Sequence, residues 1–207
     1  MPEKKLVVIV ARTRMYGGRV CVGALSDSGE NLRLMNKDCA SDRDHDSPFT
    51  VGEQWEIVCA PCGPRRPPHV EDVIVSKATK RSHVDSLPEY ILERAALWKG
   101  TIDKLFEGKI QFTRNGAGFI SEEQVPAGAT GFWIPSYELH LDHDDRNKAG
   151  YYPEHDYRHL SYVGVQDTTD VIKKGQLVRV SLARWWRPEN ADPDFEERCY
   201  AQLSGWY

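Results

Sequence analysis

The sequence predicts a mainly β protein in which two small β units are joined by one helix. Short β-branched and aromatic runs are bounded by Gly, Pro or Asn along most of the chain. Only the segment that begins near residue 86 has helical spacing. The 207 residues suffice for one large or two small domains, and 40% apolar with 28% charged residues is typical of a globular protein.

The first half is predicted to be a strand-rich unit. Its opening run, residues 5–13, is β-branched without polar alternation, as expected of a strand buried on both faces. The pair Gly17-Gly18 is a turn signal that starts a meander. Residues 36–49 are polar without periodicity and are predicted to be a surface loop. The other strands are predicted at residues 19–25, 32–35, 55–59 and from about residue 70.

A helix is predicted between the units, and strands follow it. Ser86 is a suitable N-cap, Pro88 fits the first turn, and helical spacing continues to Gly100, with a further helical turn to Phe106. We therefore expect one domain at residues 1–85, a connecting helix at 86–108 and a second domain at 109–207. The later strands are predicted at residues 110–113, 118–120, 131–134, 137–141, 160–165, 177–186 and 198–207, with a charged loop at 142–159.

Composition limits the classes of function. The longest apolar run, residues 6–11, is far shorter than the roughly 20 residues that span a bilayer. With no signal-peptide pattern, we expect a cytoplasmic protein without a membrane partner. Five cysteines, an odd number, argue against a disulfide framework, so reduced thiols are expected. The net charge of −4 argues against bulk electrostatic binding of duplex DNA, and any nucleic-acid site should be a local patch.

Three stretches carry a family resemblance. They are YGGRVCVG at 16–23, PPHVEDV at 67–73, and VRVSLARWW at 178–186 with CYAQLSGWY at 199–207. Together they resemble the bacterial dual OB-containing domain family over nearly the whole chain. The resemblance implies two OB-like small β-barrels packed in one compact body. OB barrels commonly bind single-stranded nucleic acid or oligosaccharide, although a fold alone does not fix a function.

The C-terminal strands supply most of the predicted ligand residues. Side chains alternate along a strand, so Tyr200, Gln202, Ser204 and Trp206 are expected on one face. Aromatic rings interleaved with Arg suit base stacking and backbone neutralisation. The alternative is that the tryptophans belong to the core. The predicted ligand residues here are Arg179, Arg184, Trp185, Trp186, Tyr200, Gln202 and Trp206.

Two basic stretches stand out in this acidic chain. Residues 4–19 and 171–187 each hold five Lys or Arg and no acidic residue. Such a stretch is typical of a site for an anionic ligand, although solvated surface charge explains it equally well. Arg14 and Arg19 join the predicted ligand residues on this basis.

Cys59 and Cys62 have the spacing of half a zinc site. A structural zinc needs four ligands and the chain has no second C-x-x-C pair. The simpler interpretation is a turn that carries two thiols. Zinc is therefore a weak expectation, and its remaining ligands would come from Cys39, His45 or His69.

A second possible metal site lies in the His- and Asp-rich segment 140–159, which contains His140 and His143 with Asp144 and Asp145, and His155, Asp156 and His159 further on. Imidazole and carboxylate groups at this spacing suit a divalent ion, as in a metal-dependent hydrolase. The alternative interpretation is a solvated loop.

Catalytic motifs are otherwise lacking from the sequence. His69, Glu71 and Asp72 place an imidazole near two carboxylates, which suits either acid–base chemistry or a rigid turn that caps a barrel. We therefore expect a non-catalytic binding module for single-stranded DNA, RNA or another anionic polymer. The alternatives are a protein-interaction module in a bacterial conflict or defence system and the metal-dependent hydrolase.

Overall fold

The computed structural model describes residues 2–144, 147–192 and 194–207, and it confirms a mainly β protein. Asp145, from the second metal motif, lies outside the described residues. Within these ranges the one α-helix is α1 (Leu87–Arg94), accompanied by the 3-10 segments Tyr16–Gly18 and Ile102–Gly108. No helix in this part of the chain is long and apolar enough to cross a membrane.

The first unit is a closed five-stranded barrel. Its strands are β1 (Glu3–Met15), β2 (Arg19–Ser26), β3 (Asn31–Met35), β4 (Glu53–Pro61) and β5 (Asp72–His83). They are arranged in the order β1-β2-β3-β5-β4, with β4 pairing back onto β1 and β3 running parallel to β5. This is the small barrel that the family resemblance implies.

Strand β1 is buried on both of its faces, as its lack of polar alternation predicted. Val7 and Ile9 belong to the core of the barrel. Val10 follows Ile9 directly, so strand alternation places it on the opposite face, in a cluster that lies between the two units. All three apolar side chains are at most 1% exposed. One strand therefore serves two cores, because its two faces pack into different clusters.

The second unit is a ten-stranded sheet. Its strands are β6 (Leu97–Gly100), β7 (Gln111–Phe112), β8 (Gly118–Ser121), β9 (Thr130–Pro135), β10 (Leu139–His143), β11 (Ala149–Pro153), β12 (Leu160–Tyr162), β13 (Val171–Ile172), β14 (Val178–Leu182) and β15 (Arg198–Trp206). The main path runs β13-β10-β11-β12-β15-β14-β9-β6, and β7 and β8 branch from β15. The C-terminal strand is thus central in its sheet.

Two elements differ from the prediction. The helix ends at Arg94 rather than at Gly100, because Ala95 is extended (φ −85°, ψ 145°) and β6 pairs in parallel with β9. The predicted loop at 142–159 contains β11, whose Tyr151 is 1% exposed in the core of the second unit. Pairing with neighbouring strands overrides local sequence signals at both places.

Helix α1 packs into the junction of the two units. Its Ile91 is fully buried in a cluster with Val10 and Leu25 of the barrel and Phe132 and Leu177 of the second sheet. Burying a side chain of this size contributes about 1.5–3 kcal/mol. The helix therefore holds the barrel against the second sheet in one packed body.

Candidate anion-binding site

A cavity of about 210 Å³ lies where the barrel meets the second sheet. Its walls come from the β1–β2 hairpin, strands β2 and β3, the segment before β5, and strand β14 with the residues that follow it. Four predicted ligand residues line it, namely Arg14, Arg179, Arg184 and Gln202. The sequence placed these residues on separate segments, and the packing of the two units brings them together.

Arg179 on β14 is a buried cation without a carboxylate partner among the described residues. It is 4% exposed, and its Nη1 donates a hydrogen bond of 2.9 Å to Ser204 Oγ. Its buried Nε has no hydrogen-bond partner. A guanidinium cannot be deprotonated in proteins, and an uncompensated buried charge is costly. A cation held in this way beside a cavity is a candidate to contact an anionic ligand.

Gly23 on β2 makes room for the Arg179 guanidinium. A Cβ at this glycine would lie 2.6 Å from Arg179 Nη2 and 2.9 Å from Cζ. Any side chain there would displace the guanidinium toward the cavity or out of it. A glycine inside a predicted strand often marks a close approach by another group. Gly23 was therefore a readable signal that the sequence analysis missed.

Asp72 joins two arginines from opposite sides of the junction. Arg33 on β3 makes two bonds of 2.6 Å to this carboxylate, and Arg184 from the second unit contacts Oδ2 at 2.5 Å. Burial disfavours the charged carboxylate, yet the bonds from the two arginines lower the pKa of Asp72 below its usual value. Because the single negative charge of Asp72 is shared by two guanidinium groups, this cluster of three side chains carries a net positive charge.

Glu71 connects the barrel to β9 through backbone amides. Its Oε1 accepts hydrogen bonds from the N–H groups of Ala129 and Thr130, the latter at 3.0 Å. Burial raises the pKa of Glu71 above its usual value despite these bonds. This carboxylate lines the cavity but already has donors that hold it in place.

His69 is a neutral packing residue in the wall of the cavity. It is 3% exposed, its Nε2 lies 3.1 Å from the carbonyl of Ala183, and burial lowers its pKa to about 4. Cys199 Sγ lies 3.7 Å from the same ring nitrogen, and burial raises the pKa of this thiol to about 12. A catalytic Cys–His pair needs a thiolate beside a protonated imidazole. Burial favours the uncharged form of both groups here.

The mouth of the cavity carries Arg14 and Tyr16 from the β1–β2 hairpin. Arg14 is exposed, and its Nη2 donates a hydrogen bond of 3.2 Å to the carbonyl of Val165. Tyr16 is fully exposed at the hairpin tip, where Gly17 and Gly18 have φ values of 74° and 69°. Glycine suits these left-handed positions because it has no Cβ. The hairpin thus presents a cation and a free aromatic ring beside the cavity.

The remaining predicted ligand residues lie outside the cavity. Arg19 is exposed and donates a hydrogen bond of 2.8 Å to the Ser41 carbonyl. Trp185 Nε1 donates to the carbonyl of Pro67 at 2.8 Å, which ties the two units together. Trp186 is 52% exposed, and its ring lies 6.1 Å from that of Tyr200. This aromatic pair is a second exposed ring surface, separate from Tyr16.

Trp206 does not share a face with Tyr200, contrary to simple alternation. A register shift beside Ser204 pairs Gly205 with Arg179 but Leu203 with Val180. The extra residue turns Trp206 toward the core of the second unit, where it packs against Tyr151 and Tyr162. One inserted residue reverses every face assignment that follows it, because the side-chain period of a strand is two.

The cysteines are arranged differently from the prediction. A disulfide joins Cys39 to Cys62 with a Cα–Cα distance of 5.7 Å, so the expectation that all thiols are reduced is wrong. Cys59 is 2% exposed in the barrel core on β4, whereas Cys62 lies beyond the end of that strand. Because the two side chains belong to different environments, they do not form the predicted half of a zinc site.

His140 and His143 do not converge either. Both lie on β10, three residues apart, so strand alternation points their side chains to opposite faces. Across the described ranges no three His, Cys, Asp or Glu side chains gather in a way that could hold a metal ion. The alternative of a metal-dependent hydrolase therefore has no cluster of metal-ligating side chains among the described residues.

Comparison with known protein families agrees with the OB-like barrel of the first unit. The family model of the dual OB-containing domain matches residues 5–206. No curated protein matches the sequence. The matched range contains nearly all of both units, helix α1 and every residue that lines the cavity. The chain belongs to the dual OB-containing domain family.

Proposed function

We propose that this protein binds single-stranded nucleic acid without catalysing a reaction on it, and that a phosphate of the strand enters the cavity between the two units. The observation that carries the proposal is the buried Arg179, which has no carboxylate partner among the described residues. An arginine fork suits phosphate oxygens, because two parallel N–H groups can bond them at once.

The position of the cavity in the first barrel supports a nucleic acid as the ligand. OB barrels bind oligonucleotides through the face of their second and third strands and through the loop between the first two. Here β2, β3 and the β1–β2 hairpin contribute Cys21, Arg33 and Tyr16 to the lining. Exposed rings at Tyr16 and Trp186 are suited to stacking on bases, at about 1–3 kcal/mol per base.

A binding role fits the ionisable groups better than catalysis does. Glu71 accepts bonds from two backbone amides, Asp72 is paired with two arginines, and Cys199 favours its uncharged thiol form. Each of these groups has a structural partner or the wrong charge state for acid–base or nucleophilic work. Interaction with a protein partner stays a prediction, as does a cytoplasmic location.

Fluorescence anisotropy tests the proposal with labelled single-stranded DNA, single-stranded RNA and duplex DNA, each about 12 nucleotides long. We expect salt-sensitive binding of the single strands and at least about tenfold weaker binding by R179M, since a hydrogen bond to a charged group contributes about 1.5–3 kcal/mol. The matched control is R81M, which removes a half-exposed arginine that pairs with Glu56 and is not part of the cavity lining. Absence of salt-sensitive binding, or equal binding by R179M and wild type, contradicts the proposal.

A further inference from the structure

The charges around the cavity exceed what one phosphodiester can neutralise. Four arginines line it, Arg14, Arg33, Arg179 and Arg184, whereas the carboxylates at the site are Glu71 and Asp72. With both carboxylates ionised, four cations against two anions leave two positive charges. His69 adds none at neutral pH, because burial lowers its pKa to about 4.

A terminal phosphomonoester matches this excess better than an internal phosphodiester. A phosphodiester carries one negative charge, whereas a phosphomonoester carries about −1.5 to −2 at pH 7 and offers three acceptor oxygens. Arg179 lines the cavity without a carboxylate partner, and Arg14 bonds only a backbone carbonyl among the described residues. These two guanidinium groups are the ones free to bond the additional oxygens.

The size of the cavity also favours the end of a strand. Its volume of about 210 Å³ lies below the roughly 300–1,000 Å³ of sites that enclose a drug-sized molecule. A phosphate with part of its sugar fits, and the attached base is left outside near the exposed ring of Tyr16.

We propose that the cavity recognises the terminal phosphomonoester of a single-stranded oligonucleotide, held by the buried Arg179 and by Arg14 at the mouth. This inference rests on the proposed function, since it names the part of the strand that occupies the site. Bases behind the terminal phosphate stack on Tyr16.

The test compares strands of one sequence, about 6 nucleotides long, that differ only at their ends. One carries a 5′-phosphate, one a 3′-phosphate and one only hydroxyl groups. A fourth carries a methyl-capped phosphate, which keeps the phosphorus but removes the second charge. We expect one phosphorylated strand to bind at least about tenfold more tightly than the hydroxyl strand, because one to three charge-assisted bonds are added. Methyl capping should abolish most of this gain.

Variants of the β1–β2 hairpin separate recognition of the end from general attraction. R14M should reduce the advantage of the phosphorylated strand, whereas R19M, on the same hairpin but outside the cavity lining, should keep it. G23A displaces the Arg179 guanidinium without removing its charge, and it should also reduce the advantage.

The outcomes distinguish this inference from the proposed function. Equal binding of all four strands, with loss in R179M, overturns recognition of the end and leaves strand binding intact. Failure of every strand to bind overturns the proposed function itself. An advantage that survives in both R14M and R179M overturns the assignment to this cavity.

Discussion

Replacing Arg179 with methionine should leave the protein as stable as the wild type or more stable. The guanidinium is 4% exposed, makes one side-chain hydrogen bond and has an unpartnered Nε. Leaving a buried donor unsatisfied costs about 1–3 kcal/mol, and methionine removes that penalty while it fills similar space. Ser204 Oγ still has an acceptor in the carbonyl of residue 179, at 3.2 Å. We therefore expect the free energy of unfolding to rise by about 0–3 kcal/mol.

Urea unfolding followed by tryptophan fluorescence measures this change, with and without added inorganic phosphate. Guanidinium chloride is unsuitable because its cation resembles the side chain under test. Phosphate at ten times its dissociation constant should stabilise the wild type by about 1.4 kcal/mol, and it should not stabilise R179M. If R179M is destabilised by more than about 2 kcal/mol and phosphate has no effect on the wild type, Arg179 is a structural residue and the reasoning fails.

Three further outcomes follow from the junction and the barrel. G23A should weaken phosphate binding with little loss of stability, because its Cβ would lie 2.6 Å from Arg179 Nη2, at the end of a flexible side chain. If phosphate stabilises G23A and the wild type equally in the urea assay, this prediction is contradicted. His69 has a folded-state pKa of about 4, below the usual 6.5, so the unfolded chain takes up its proton first on acidification. Stability should therefore fall by up to about 3 kcal/mol between pH 6.5 and 4, and H69Q should flatten this part of the pH profile; an unchanged slope would refute the assignment. Cys39 and Cys62 are separated by 23 positions, so reducing their disulfide should lower the free energy of unfolding by about 3 kcal/mol. The free energy of unfolding of C39S should not change when reductant is added. An equal response of C39S and wild type would argue against the bond.

Local patterns were sufficient to predict most of the strands but not the junction between the two units. The apolar run in β1, which has no alternating polar residues, predicted burial on both faces of the strand. The structure explains this burial by the two cores that the strand serves. The helix start at Ser86 was also readable, since its side chain accepts a bond from the backbone N–H of Glu89. Short-range signals of this kind depend on a few neighbouring residues, so they can be recognised without knowing how the chain packs.

The cavity depends on contacts that sequence spacing does not encode. Arg33 and Arg184 meet at Asp72 across positions far apart in the chain. The bulge beside Ser204 turns Trp206 toward the core, and the adjacent Gly205 is a bulge signal that simple alternation ignores. Arg179 was predicted as a ligand residue because arginines interleave with aromatic rings on the C-terminal strands, whereas the structure singles it out as a buried cation beside a cavity. The residue is the same, but the physical reason for singling it out is different.

The salt dependence of strand binding tests the central claim most directly. For single strands, log K falls with log salt concentration at a slope of about −0.7 for each phosphate that a cation neutralises. We predict that R179M both weakens binding and makes this slope shallower by about 0.7, while R81M reproduces the wild-type line. If the wild type and R179M give superimposable lines, no phosphate contacts Arg179, and the cavity is not the binding site.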